Sequence, residues 1–95
     1  MINLDYHNVE IVKAEGTNQI MIKGEITNRD EKSYNSVAVR VILFEHNIPI
    51  VNVVFMVNNM LIGTTKTFEK KVDNTDFNQV MKVFTRYEIF TESYY

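Results

Sequence analysis

Along most of this chain apolar residues recur at every second position in short runs, and that period constrains the fold more than any other feature. Alternation puts successive side chains on opposite faces of a pleated strand. Ile20, Ile22, Gly24 and Ile26 share one face, with Met21, Lys23, Glu25 and Thr27 on the other. Val37, Val39, Val41 and Leu43 form one face of a further strand, backed by Ala38, Arg40, Ile42 and Phe44. Val9, Ile11 and Lys13 alternate with Glu10, Val12 and Ala14. Ile48 to Val57 reads as a strand that is apolar on both faces, and Thr64 to Val72 as one with Phe68 and Val72 inward and lysines at its flanks. Between them lie the polar loop Asn28–Ser33, the turn Glu45-His46-Asn47, and a break over Met60–Gly63 where Gly63 can take a positive φ. Short strands separated by turns at this spacing predict an all-β fold, a two-layer antiparallel sandwich of about six to seven strands.

The last third carries two periods. Phe77, Val80, Met81, Phe84 and Tyr87 recur at helical spacing, with Thr75 or Asp76 as a cap. Val83, Thr85, Tyr87, Ile89 and Thr91 alternate as a strand. The expectation is one short helical turn near Asp76–Val80 and a strand from about Lys82 to Thr91.

With 95 residues, no repeat and no linker-like tract, the chain is expected to be a single domain over 1–95. The formal net charge is −2 and the cations are scattered, the densest group being Lys66, Lys70 and Lys71. That is not the basic stripe of a nucleic-acid binder, so no nucleic-acid partner is expected. No run is long and apolar enough for a membrane-spanning helix, since Pro49, Asn52, Asn58 and Asn59 interrupt the best candidate, Ile48–Ile62. With no cysteine, disulfides, thiolate catalysis and Cys-based zinc sites are excluded. The N-terminal residues lack the features of a signal peptide. The expected location is therefore cytoplasmic if Met1 is the native start, and secreted or cell-envelope if the chain is an excised domain.

No constellation for catalysis or for a cofactor is found. His7 and His46 are the only histidines, too few for a zinc site. No nucleophile motif and no glycine-rich phosphate loop occurs. Asp73-Asn74-Thr75-Asp76 is rich in oxygens but short of the six to eight that calcium takes, and reads as a turn that opens the helical segment. Phe84, Tyr87, Phe90, Tyr94 and Tyr95 are candidates for a sugar-stacking platform, yet most are expected in the core, with the last two at a frayed end. Gly24 reads as a bulge or a close backbone approach. The candidate interface is the Ile50–Val57 strand, specifically Ile50, Val51, Val53, Val54, Phe55 and Met56. Its two faces would hold Ile50, Val54 and Met56 on one side and Val51, Val53, Phe55 and Val57 on the other. The outer one would be covered by Ile2-Asn3-Leu4, by the C-terminal tyrosines, by a protein partner or by a second copy.

Several segments, taken in order, resemble the FxLYD family of bacterial and archaeal domains. Lys23-Gly24-Glu25-Ile26-Thr27-Asn28 is similar to the V-x-G-x-V-x-N strand common to small bacterial sandwich domains. Val39–Glu45 resembles the family's Phe-x-Leu-Tyr-Asp strand, with Val41, Phe44 and Glu45 in place of its Phe, Tyr and Asp. Leu61–Phe68 fits the Leu-x-Gly-x-x-x-x-Phe segment that follows, and Asp76–Val80 with Tyr87-Glu88-Ile89 resembles the close. The resemblance implies an immunoglobulin-like sandwich acting as a non-catalytic structural or interaction module in an exported or envelope protein. The competing expectation is an accessory carbohydrate- or calcium-binding module.

Overall fold

Among the described residues, six strands and one helix form close to where these periods place them. The computed structural model describes residues 2–95. The elements are β1 (Leu4–Lys13), β2 (Ile20–Asn28), β3 (Tyr34–Glu45), β4 (Ile48–Met60), β5 (Thr65–Val72), α1 (Phe77–Val83) and β6 (Arg86–Tyr94). All strand pairs are antiparallel, in two three-stranded sheets of order β1-β2-β5 and β4-β3-β6. The alternating sets meet between the layers. Ile20, Ile22 and Ile26 from β2 pack with Val37, Val39, Val41 and Leu43 from β3, and all seven are wholly buried. Phe68 and Val72 close this core from β5, and the first strand adds Leu4, Tyr6, Val9 and Ile11 at its margin. The all-β sandwich expected from the alternation is the fold observed.

Two residues of the Gly24–Asn28 segment show why a strand would carry them. β1 has a bulge between His7 and Glu10, where Asn8 takes φ +53° and two residues oppose the single Gly24. The backbone of β1 is thereby pressed onto Gly24: a Cβ there would lie 3.1 Å from Val9 Cα and 3.0 Å from Phe68 Cζ. Gly24 is thus a close backbone approach opposite a bulge. Asn28, fully buried, donates from Nδ2 to the carbonyls of Lys32 (3.0 Å) and Met60 (2.9 Å), and its Oδ1 accepts from the Asp30 amide (2.9 Å). One amide side chain therefore fixes both the loop after β2 and the end of β4. Gly63, in the turn that follows β4, has φ +74°.

Several boundaries differ from expectation. β1 begins at Leu4, before the Val9 start of its clear alternation, because the Asn8 bulge shifts the period halfway along. β4 continues through Asn58 and Asn59 to the buried Met60, beyond the Val57 limit, with Asn59 taking φ +57°. β5 starts one residue later than Thr64, whose hydroxyl and amide both bond the Leu61 carbonyl in the turn. At the C-terminus the helical period wins further than expected: α1 runs to Val83, and the strand opens at Arg86 instead of Lys82. Asp76 is the N-cap and accepts from the Gln79 amide at 3.1 Å, while Phe77, Val80 and Phe84 pack against the core. Apolar contact of Phe77 and Val80 along one helical face outweighs the strand propensity of Val83, and Phe84 ends the helix with extended backbone.

Candidate interaction surface

The fourth strand is an edge strand, and its two faces differ. Val51 and Val57 are buried, Val53 and Phe55 are half-buried against the core, and the Phe55 ring lies 5.3 Å from that of Phe68. The opposite face looks into solvent, with Val54 43% and Met56 50% exposed. Ile50 does not join them. Phe44 pairs with Pro49 and Leu43 with Val51, so Ile50 is an extra residue in a bulge, turned onto the core and half-buried. Pro49, with no N–H to give a ladder, sits where such an interruption is tolerated.

Of the six residues expected at an interface, the structure therefore leaves Val54 and Met56 on the outer face. Ile50, Val51, Val53 and Phe55 belong to the core or its rim. The expected internal cover is corrected too: Ile2 and Leu4 pack against the core between the sheets, and Tyr94 and Tyr95 are themselves 48% and 67% exposed. Neither segment covers Val54 or Met56.

The rest of that face combines apolar groups with tied charges. Arg40, on the central strand, pairs with Val54 on one side and Phe90 on the other. Its guanidinium makes a two-point bond to the Glu92 carboxylate and a third to Asn52 Oδ1. The pairing holds the Glu92 carboxyl below its usual range and raises Arg40. Arg86 stacks over the Phe44 ring, 3.9 Å from its centre, which is how Phe44 stays buried on an outward-facing register. Phe90 is 39% exposed, a separate apolar spot on β6 divided from Val54 by Arg40 on the central strand.

The opposite sheet has a polar outer face. His7 Nε2 lies 2.9 Å from Thr27 Oγ1, which bonds Thr65 Oγ1 at 2.6 Å, and His7 Nδ1 is 3.5 Å from Glu25. His7 is thus part of a cross-strand network, and Asp5 pairs with Arg29. His46 forms the hairpin turn before β4 with φ +55°. In the loop after β2 the Tyr34 hydroxyl donates to the Asp30 carboxylate; this bond pushes Tyr34 up to about 12 and holds Asp30 below its ordinary value. Asp76, from the oxygen-rich turn, caps α1, and the Thr75 hydroxyl donates to the Val72 carbonyl.

One feature was not singled out from the sequence. Where β1 and β6 diverge, a cleft of about 470 Å³ opens, lined by Val9, Ile11, Met81, Phe84 and Tyr87 with Thr85 and Arg86 at its rim. Its signal is the helical recurrence of Met81, Phe84 and Tyr87, of which the last two fall in the strand expected from Lys82. The Thr85 hydroxyl is already engaged there, bonding the His46 amide and the Phe44 carbonyl. The C-terminal aromatics depart from expectation: Phe84 packs against the core, Tyr87 and Phe90 stand partly in solvent, and the end is not frayed, since Tyr94 lies in β6 and Tyr95 bonds the backbone of Asn35 and Ser36.

No protein-family model matches the chain, and no curated protein and no solved structure is significantly similar to it.

Proposed function

We propose that this chain is a non-catalytic interaction module of immunoglobulin-like type, belonging to the FxLYD family and serving a bacterial envelope or secreted protein. The observation that carries the reading is the exposed apolar face of β4, Val54 and Met56, on a strand whose other face is built into the core. A surface of that kind is suited to contact with another macromolecule. The strand order supports the immunoglobulin-like part. β1, β2 and β5 adjoin as A, B and E do in such domains, and β3 lies beside β6 as C lies beside F. The positions of Gly24 and Asn28 support the family part, since both have a packing reason in this fold. The groups with displaced pKa values support a non-catalytic role: Asp30, Tyr34, Arg40 and Glu92 are each explained by a structural hydrogen bond, and Tyr6 is raised by burial at the core margin.

Thermal unfolding against a panel of calcium and glycans tests the reading, because a ligand specific for the native state raises the midpoint by mass action. The module as proposed keeps its midpoint throughout. A midpoint that rises with calcium or with one glycan overturns the proposal in favour of a carbohydrate- or calcium-binding module.

A further inference from the structure

The free edge of β4 differs from the other three sheet edges. Four strands end the two sheets; three of them carry charges along their length, which keep sheet edges apart, whereas β4 confines its bulge and Pro49 to its first three residues. β1 has a bulge and the charges of Asp5, Glu10 and Lys13. β5 bears Lys66, Glu69, Lys70 and Lys71. β6 has a bulge and the charges of Arg86, Glu88 and Glu92. β4 has no charged residue among its 13, and past the Ile50 bulge its pairing with β3 is regular to Asn58.

The direction of its free hydrogen-bonding groups follows from the ladder. The Thr85 amide bonds the Phe44 carbonyl, so Phe44 faces β6, and Leu43, Val41, Val39 and Val37 face β4 by alternation. Their partners Val51, Val53, Phe55 and Val57 are then bonded within the sheet. Asn52, Val54, Met56 and Asn58 turn their N–H and C=O groups outward. Consistent with this, the Lys66 ammonium reaches the Asn58 carbonyl at 2.6 Å.

We propose that a second copy of this chain occupies this edge, β4 against β4 in antiparallel pairing about a two-fold axis at Phe55, an inference that rests on the interaction-module reading. This register pairs the whole free run: Asn52 meets Asn58 of the other copy and Val54 meets Met56, each twice. The outer face then carries an apolar centre flanked by amides, and no like charges oppose. Phe55 meets its own symmetry mate beside the core rim. The Asn58 carbonyl keeps a second lone pair for the incoming amide. Arg40 is one strand further back in each copy and already neutralised by Glu92. The result is a continuous six-stranded sheet across the two copies.

Sedimentation equilibrium at concentrations up to about 1 mM tests this, with circular dichroism as the check on folding. The parent should pass from 11.2 kDa to twice that mass. Val54→Lys alone and Met56→Glu alone should each weaken the dimer at least about tenfold, by burying an unpaired charge at the axis. The double variant Val54→Lys/Met56→Glu places opposite charges face to face twice and should return the dissociation constant to within about threefold of the parent. A parent that stays monomeric throughout overturns the second copy, and leaves the module reading to its ligand panel. Single variants that dimerise undiminished, or a double variant no better than the singles, overturn this edge and register.

Discussion

Gly24, Asn28 and Phe68 fix how the two sheets close. Phe68 is 6% exposed and reaches over Gly24 to the bulge in β1. Phe68→Ala should cost about 3–5 kcal/mol in urea denaturation, as for other buried aromatics. Gly24→Ala should cost about 1–3 kcal/mol, because one of the atoms its Cβ meets is backbone and cannot swing away. Asn28→Ala leaves two carbonyls and an amide without their partner and should cost about 2–4 kcal/mol. The bond from Tyr34 to Asp30 contributes to the pH dependence of stability at both extremes, beside Glu92 on the acid side and Tyr6 on the alkaline side. Asp30 is depressed, so its contribution is complete above the ordinary aspartate value near 4 and fades as pH falls below it. Tyr34 is raised to about 12, so its contribution is complete below the ordinary tyrosine value near 10 and fades as pH rises from there. Tyr34→Phe should flatten the alkaline limb and shallow the acid limb of a plot of stability against pH. An unchanged alkaline limb would show that this bond does not form.

At the scale of elements, legibility followed how many faces of a segment are polar. β2 and β3 could be read from their residues because a buried face alternates with one carrying Lys23, Glu25 or Arg40. β4 could be located but not oriented, since both faces are apolar and a one-residue bulge at Ile50 moves that side chain to the other side. Nothing in a run of aliphatic residues marks such a bulge apart from Pro49. In the segment 77–91 two periods overlap, and the choice between them depends on a groove at the end of the sandwich that only tertiary packing creates. The cap at Asp76 was legible, and the length of the helix it starts was not. Asp76→Ala should cost about 1 kcal/mol and loosen α1 first. Amide exchange should then rise through Phe77–Val83 while β2 and β3 keep their protection. Equal exchange in parent and variant would remove Asp76 from the account of the helix.

The whole molecule is a sandwich whose two outer faces differ, one networked through His7, Thr27 and Thr65 and the other apolar along its β4 edge at Val54 and Met56. That asymmetry is the basis for reading the chain as a module that meets another macromolecule with one sheet. It depends on a single structural assignment, the phase of β4 from Val51 to Val57. The most direct test is the urea unfolding free energy of Val51→Lys beside Val54→Lys, measured at a concentration where the chain is monomeric. With Val51 buried, its replacement should cost about 3 kcal/mol or more, while replacement of the exposed Val54 should stay within about 0.5 kcal/mol of the parent. If Val54→Lys unfolds the domain as Val51→Lys does, both faces of β4 are internal and the interaction surface does not exist.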